Sequence, residues 1–139
     1  MRDNNNYNDD GHCFVCGEKN PQGMHLEFTW DENALAAQST VVFQKHLQGW
    51  NNVVHGGLIS TVLDEVVVKA AGHEGYRCVT AQLTVKFKKP ALVEKPYRLE
   101  GRVLAVNRKI IDAEGTLKAE DGTVIAQAAA KLFMVAPPE

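Results

Sequence analysis

No run of apolar residues approaches the roughly 18 to 20 that a membrane-crossing helix requires, which removes a spanning segment from the expected architecture. The N-terminus, Met1-Arg2-Asp3-Asn4-Asn5-Asn6-Tyr7-Asn8-Asp9-Asp10, has none of the apolar core of a secretory signal. The cytoplasm is therefore the expected compartment, and residues 1–12 read as a flexible polar tail. Cysteine is scarce. Cys13, Cys16 and Cys78 are the only three, and an odd number in a chain of ordinary size argues against a disulfide framework and fits a reducing setting. Charge of one sign is lacking too: 15 Lys plus Arg stand against 17 Asp plus Glu, a net charge of -2. Interspersed charges of that balance exclude a surface built to hold nucleic acid, while leaving a few lysines free to grip one small phosphorylated ligand. No internal repeat or low-complexity linker divides the chain. The 139 residues, 45% apolar and 23% charged, then read as one domain over residues 13–139. A domain of that size buries roughly two-thirds of its unfolded surface.

Periodicity gives one helix and several strands. Residues 24–30 and 35–43 are strand-like, and Asp31-Glu32-Asn33 between them is a hairpin signal. From Leu58 to Ala71 the apolar positions 58, 59, 62, 63, 66, 67, 70 and 71 follow helical spacing. Ser60, Thr61, Asp64, Glu65 and Lys69 form a polar stripe on that helix, and Gly72 supplies the expected stop. Val79, Ala81, Leu83, Val85 and Phe87 then alternate with Thr80, Gln82, Thr84, Lys86 and Lys88 until Pro90. Residues 97–106, 110–119 and 123–135 repeat the strand pattern, with Asp121-Gly122 as a tight turn. The order is β-β-α-β-β-β-β. A single helix cannot supply the crossovers of a parallel sheet, so the expected class is α+β, an antiparallel sheet wrapped about one long helix.

Just ahead of the helix stands Gly49-Trp50-Asn51-Asn52-Val53-Val54-His55-Gly56-Gly57. The segment His55-Gly56-Gly57-Leu58-Ile59-Ser60-Thr61-Val62-Leu63-Asp64 resembles the helix-start motif of hotdog-fold acyl-CoA thioesterases of the phenylacetate-degradation type, in which a catalytic acid follows a His-Gly-Gly at this spacing. Val79-Thr80-Ala81-Gln82-Leu83 and Phe87-Lys88-Lys89-Pro90 resemble the next strand of that family, where a Ser or Thr assists the acid. The resemblance implies a hotdog fold, hydrolysis of an acyl-CoA thioester without a cofactor, and a homodimer or dimer of dimers with its site at the subunit interface.

The chemistry has its own argument. Two glycines opening a helix leave backbone amides unpaired and unobstructed, at the positive end of the helix dipole. Such amides suit an oxyanion, and Asp64 suits a base or nucleophile. Asp64 lies seven residues after Gly57, roughly 10 Å along the axis at about 1.5 Å per residue, so one carbonyl cannot touch both. A site shared by two chains resolves this, the Gly56 and Gly57 amides of one protomer facing Asp64 and Thr80 of another.

Each residue also has a plainer reading. Asp64 belongs to a polar stripe in which Glu65 and Lys69 form an ordinary i,i+4 pair. Thr80 has a plainer alternative as an outward strand residue. His55 is expected to cap or orient the loop rather than to move a proton. Lys88 and Lys89, with Lys86, are either solubilising or aimed at coenzyme A phosphates. An Asn expected upstream of His55 in some relatives is replaced by Gly49, with Asn51 and Asn52 displaced from that place. His12-Cys13-Phe14-Val15-Cys16-Gly17, followed by Asn20-Pro21-Gln22-Gly23 and His25, matches no standard zinc finger and has no second Cys pair. It is read as a tight packing loop with Cys13 and Phe14 turned inward, and no metal is expected. The alternative to the thioesterase is a non-catalytic acyl-CoA binding hotdog protein, which would have no use for Asp64. A hotdog hydratase or dehydratase ranks third, because His55 does not supply the acid-paired His such enzymes need.

Overall fold

Residues 7–136 are described by the computed structural model. The part of the expected tail up to Asn6, and residues 137–139, lie outside the described residues. Strands β1 (Thr29–Asp31) and β2 (Ala36–Val42) precede helix α1 (Gly56–His73). Strands β3 (Arg77–Phe87), β4 (Pro96–Asn107), β5 (Ile110–Ala119) and β6 (Val124–Ala136) follow it. All pairings are antiparallel, in the spatial order β1-β2-β4-β5-β6-β3. This is the expected arrangement, one helix against a single wrapped sheet.

The first strand is much shorter than the apolar pattern of residues 24–30 suggests. His25 adopts a positive φ of 54°, which breaks the extended run. The Met24 and Leu26 amides donate to the Phe14 and Val15 carbonyls at 2.8 and 2.9 Å, so this stretch bonds to the preceding loop instead of the sheet. The expected hairpin does form: Asp31 Oδ1 accepts from the Asn33 and Ala34 amides at 2.9 and 3.2 Å, a side-chain-closed turn.

The helix begins two residues earlier than its apolar period, because its first turn consists of the glycines themselves. It also passes Gly72, correcting the expected stop. The last helical residue is His73, and Gly75, with φ 93°, closes the end. The Gly75 amide donates to Gly72 O and the Tyr76 amide to Ala71 O, each at 3.0 Å, the paired bonds of a Schellman cap.

Helix α1 buries Ile59, Val62, Leu63, Val66, Val67, Ala70 and Ala71 against the sheet. Each fully buried Leu, Ile or Val contributes roughly 1.5–3 kcal/mol of transfer free energy. What lets the helix approach is a pair of missing side chains. Gly101 of β4 and Gly115 of β5 lie directly opposite one another. A side-chain carbon on Gly101 would stand 2.7 Å from the Val66 carbonyl oxygen, and one on Gly115 would stand 3.2 Å from Val66 Cγ1.

Strand β3 carries an irregularity that decides the site. Thr80 pairs with Leu132 and Gln82 with Lys131, so Ala81 is an extra residue, a β-bulge. Beyond the bulge Leu83 and Val85 oppose the buried Ala130 and Ala128 and face the core. Before it the phase is reversed: Thr80 opposes Leu132, which is fully buried, and it is Thr80 that faces the helix.

Candidate active site

Asp64 lies midway along α1 and is half-buried, as is Thr80. The Thr80 hydroxyl donates to Asp64 Oδ1 at 2.5 Å. The outward reading of Thr80 is thus corrected, and the bulge is its cause. Two residues before Thr80, on the same side of the strand, burial pushes the Cys78 thiol up to about 11, and the Asp64 carboxylate adds to the rise. Cys78 was absent from the residues selected by sequence, although its spacing of two from Thr80 is the signal that places both on one face.

Glu65, the neighbouring carboxylate, points elsewhere. Its Oε2 is 4.0 Å from Lys69 Nζ, the expected i,i+4 pair.

At the helix start His55 is the N-cap, and its Nδ1 accepts from the Gly57 amide at 2.9 Å. The capping role expected for His55 is what the geometry displays. Gly57 is therefore engaged, whereas the Gly56 amide has no acceptor among the described residues. Gly49 packs against the cap; a side-chain carbon there would lie 3.3 Å from His55 Cα. Asn51 and Asn52 turn their side-chain oxygens to Lys45 Nζ at 3.4 and 2.6 Å, away from any role beside the glycines.

The far end of β3 reaches this helix start. A side-chain carbon on Gly56 would meet the Phe87 ring at 3.5 Å. Lys88 and Lys89 follow at once, their amides donating to Ile125 O at 2.8 and 3.1 Å and their side chains exposed. One chain therefore holds two separate groupings: an amide donor with Phe87 and two lysines at one end, and Asp64 with Thr80 and Cys78 further along. A cleft of about 1010 Å³ adjoins the second, lined by Phe28, Trp30, His73, Tyr76 and Cys78 among others. The Trp30 and His73 rings stack across it, with centroids 3.9 Å apart.

Among the described residues one α-helix is enclosed by an antiparallel sheet, the architecture of the hotdog class. The profile of the Thioesterase superfamily matches residues 51–126, more than half of the chain, and the protein belongs to that family. The chain is 27% identical over 120 residues to the acyl-coenzyme A thioesterase THEM4 of Mus musculus. That match covers 85% of this chain and 52% of the relative, so the chain spans about half the length of its curated relatives. Among solved structures it resembles RHA08564, a thioesterase superfamily protein, with a TM-score of 0.83, 27% identity and coverage of 89% of this chain and 60% of that one. It also resembles the PaaI protein of the E. coli phenylacetic acid degradation operon, with a TM-score of 0.74, 15% identity and 83% coverage of both. The resemblance to the phenylacetate-degradation type thus extends to three dimensions.

Proposed function

We propose that this protein is an acyl-CoA thioesterase, hydrolysing the thioester to a free acid and coenzyme A with Asp64 as general base or nucleophile. The carrying observation is the Thr80 to Asp64 hydrogen bond, made possible by the bulge: a strand residue is turned inward to orient one oxygen of the mid-helix acid. In the base reading Asp64 takes a proton from water, which attacks the thioester carbon; in the nucleophile reading its carboxylate attacks first and water releases the acyl group. In both, the Gly56 amide stabilises the oxyanion, joined by Gly57 when the exposed His55 ring swings off it. Lys88 and Lys89 at the same end bind the coenzyme A phosphates.

The donor and the acid are separated along one helix, so the working site takes the amides of one protomer and Asp64 with Thr80 of another. Two features support a dimer or a dimer of dimers. Strand β3 is an edge strand of eleven residues, long enough to pair with a second chain. Phe87, Leu104 and Phe133 are exposed at 54%, 57% and 41%. Three unpaired cysteines favour a reducing, cytoplasmic setting.

A panel of acyl-CoA esters assayed by free-thiol release tests activity and substrate together. The non-catalytic binding reading instead requires coenzyme A affinity without turnover. The shared site is tested by complementation. Asp64→Asn keeps the amides, and Gly57→Pro keeps the acid while losing an amide donor and its bond to His55. Each folded homodimer is expected to be nearly inactive, and mixed dimers to regain an appreciable fraction of activity. Mass-confirmed mixed dimers as dead as their parents would sink the two-chain site.

A further inference from the structure

The cysteine loop at the N-terminal end of the domain is more organised than a packing loop needs to be. Phe14 is 44% exposed and Val15 is buried, so the expected packing of Phe14 is corrected, whereas Cys13 is half-buried. The turn is closed through the Cys13 backbone. The Gly17 amide donates to Cys13 O at 2.9 Å, and a side-chain carbon at Gly17 would stand only 2.3 Å from Cys13 N. Only glycine closes the Cys13-x-x-Cys16 turn that tightly. The Lys19 amide then bonds Gly11 O at 2.9 Å, locking the loop from outside.

Across from this turn, fifty-two residues from Cys13, stands Glu65 of α1. The Cys13 sulfur is 3.6 and 3.8 Å from its two carboxylate oxygens. One ligand atom from each of Cys13, Cys16 and Glu65 falls within 4.8 Å of the others. Zinc bonds of about 2.3 Å to sulfur and 2.1 Å to oxygen at tetrahedral angles put sulfur and oxygen ~3.6 Å apart, so the three donors already stand near coordination distance.

Glu65 itself calls for a cation. Its side chain is only 15% exposed, yet among the described residues its ammonium partner is at 4.0 Å and its remaining contacts are the long ones to sulfur. A carboxylate so far withdrawn from water needs closer partners than these.

We propose that Cys13, Cys16 and Glu65 bind one divalent cation of the zinc class, which clamps the cysteine loop to the middle of α1 and leaves its fourth position to water. Binding displaces the two thiol protons, so two thiolates, one carboxylate and one dication sum to a single negative charge. Lys69, beside Glu65, offsets that charge. Two thiolates select zinc or cobalt over magnesium or calcium, which prefer oxygen. Cys16 and Lys69 also line the cleft that reaches Cys78, so the clamp forms part of its wall.

The test uses the full chain, metal-stripped and kept reduced, titrated with cobalt(II). One equivalent is expected to produce a thiolate-to-cobalt charge-transfer band and strong tetrahedral d–d bands, both abolished by zinc. Zinc is expected to raise Tm, and Glu65→Gln to weaken zinc binding at least tenfold. Cys16→Ser should erase the charge-transfer band; should that variant fail to fold, Glu65→Gln and the wild-type Tm carry the decision. A reduced wild-type chain with free thiols that shows no cobalt band and no zinc-dependent Tm overturns the proposal, as does unchanged zinc affinity in Glu65→Gln. None of these readouts depends on thioesterase activity.

Discussion

Replacing Thr80 by Val keeps the shape of the side chain and removes only the donor that orients Asp64. A hydrogen bond to a charged group contributes about 1.5–3 kcal/mol. If that orientation serves the transition state, kcat/KM falls by about 10- to 150-fold, at ~1.36 kcal/mol per decade. Thr80→Ser restores a hydroxyl at the same carbon and should return activity to within a few-fold of wild type. Thr84→Val is the matched control, because Thr84 is exposed and lies beyond the bulge, on the opposite phase of the strand. The assay is initial-rate release of coenzyme A across a range of one accepted ester, with Tm and light scattering on every variant. Thr80→Val with wild-type kcat/KM and an unchanged Tm would refute the reasoning, since the bulge would then turn inward a residue the chemistry does not use.

Asp64→Asn should lower kcat by about 100-fold or more while leaving Tm and assembly unchanged, because a positioned acid–base group contributes at least that much; near-full turnover removes Asp64 from the reaction. Gly101→Ala forces a methyl group against the Val66 carbonyl and should cost about 3 kcal/mol, roughly 10 °C in Tm. Gly72→Ala meets nothing within 4 Å and should stabilise the helix by about 0.5–1 kcal/mol, so thermal melts of the two variants should move in opposite directions. The raised thiol of Cys78 favours the folded state fully below its ordinary value of 9.0, and that contribution is lost as pH climbs through about 11. Tm should therefore decline over that window, less steeply in Cys78→Ser. Removing the Asp64 charge should speed native-state alkylation of Cys78, as followed by mass spectrometry; an unchanged rate in Asp64→Asn would contradict the electrostatic influence of Asp64 on the thiol.

Much of this was legible in the residues because each signal is local. The helical spacing of apolar residues in α1, the Asp31-Glu32-Asn33 turn and Asp121-Gly122 all act within a few positions, and all formed as read apart from the ends of the helix. Strand β3 was legible as a strand but not in its facing. Strict alternation puts Thr80 and Gln82 on one side, and only the pairing with β6 reveals that Ala81 is surplus and the two face opposite ways. The β1 segment failed for a similar reason: its apolar residues are real, but their amides are claimed by a loop ten residues earlier. The partnership of Glu65 with Cys13 and Cys16 is set by the folded chain, and no spacing rule connects a loop to a helix so distant in sequence.

The glycine pair in the sheet has a consequence for how the acid is aimed. Val66 sits in the notch left by Gly101 and Gly115, two positions along the helix from Asp64. The notch acts as a detent: sliding the helix by a turn would lift the Val66 carbonyl out of the one place where the sheet surface dips. The distance from Asp64 to Thr80 is thereby indexed by two hydrogen atoms standing where side chains would be. Filling that dip shifts the aim of the acid along with the fit of the core, so greater bulk beneath the helix is closed to this chain as a route to stability.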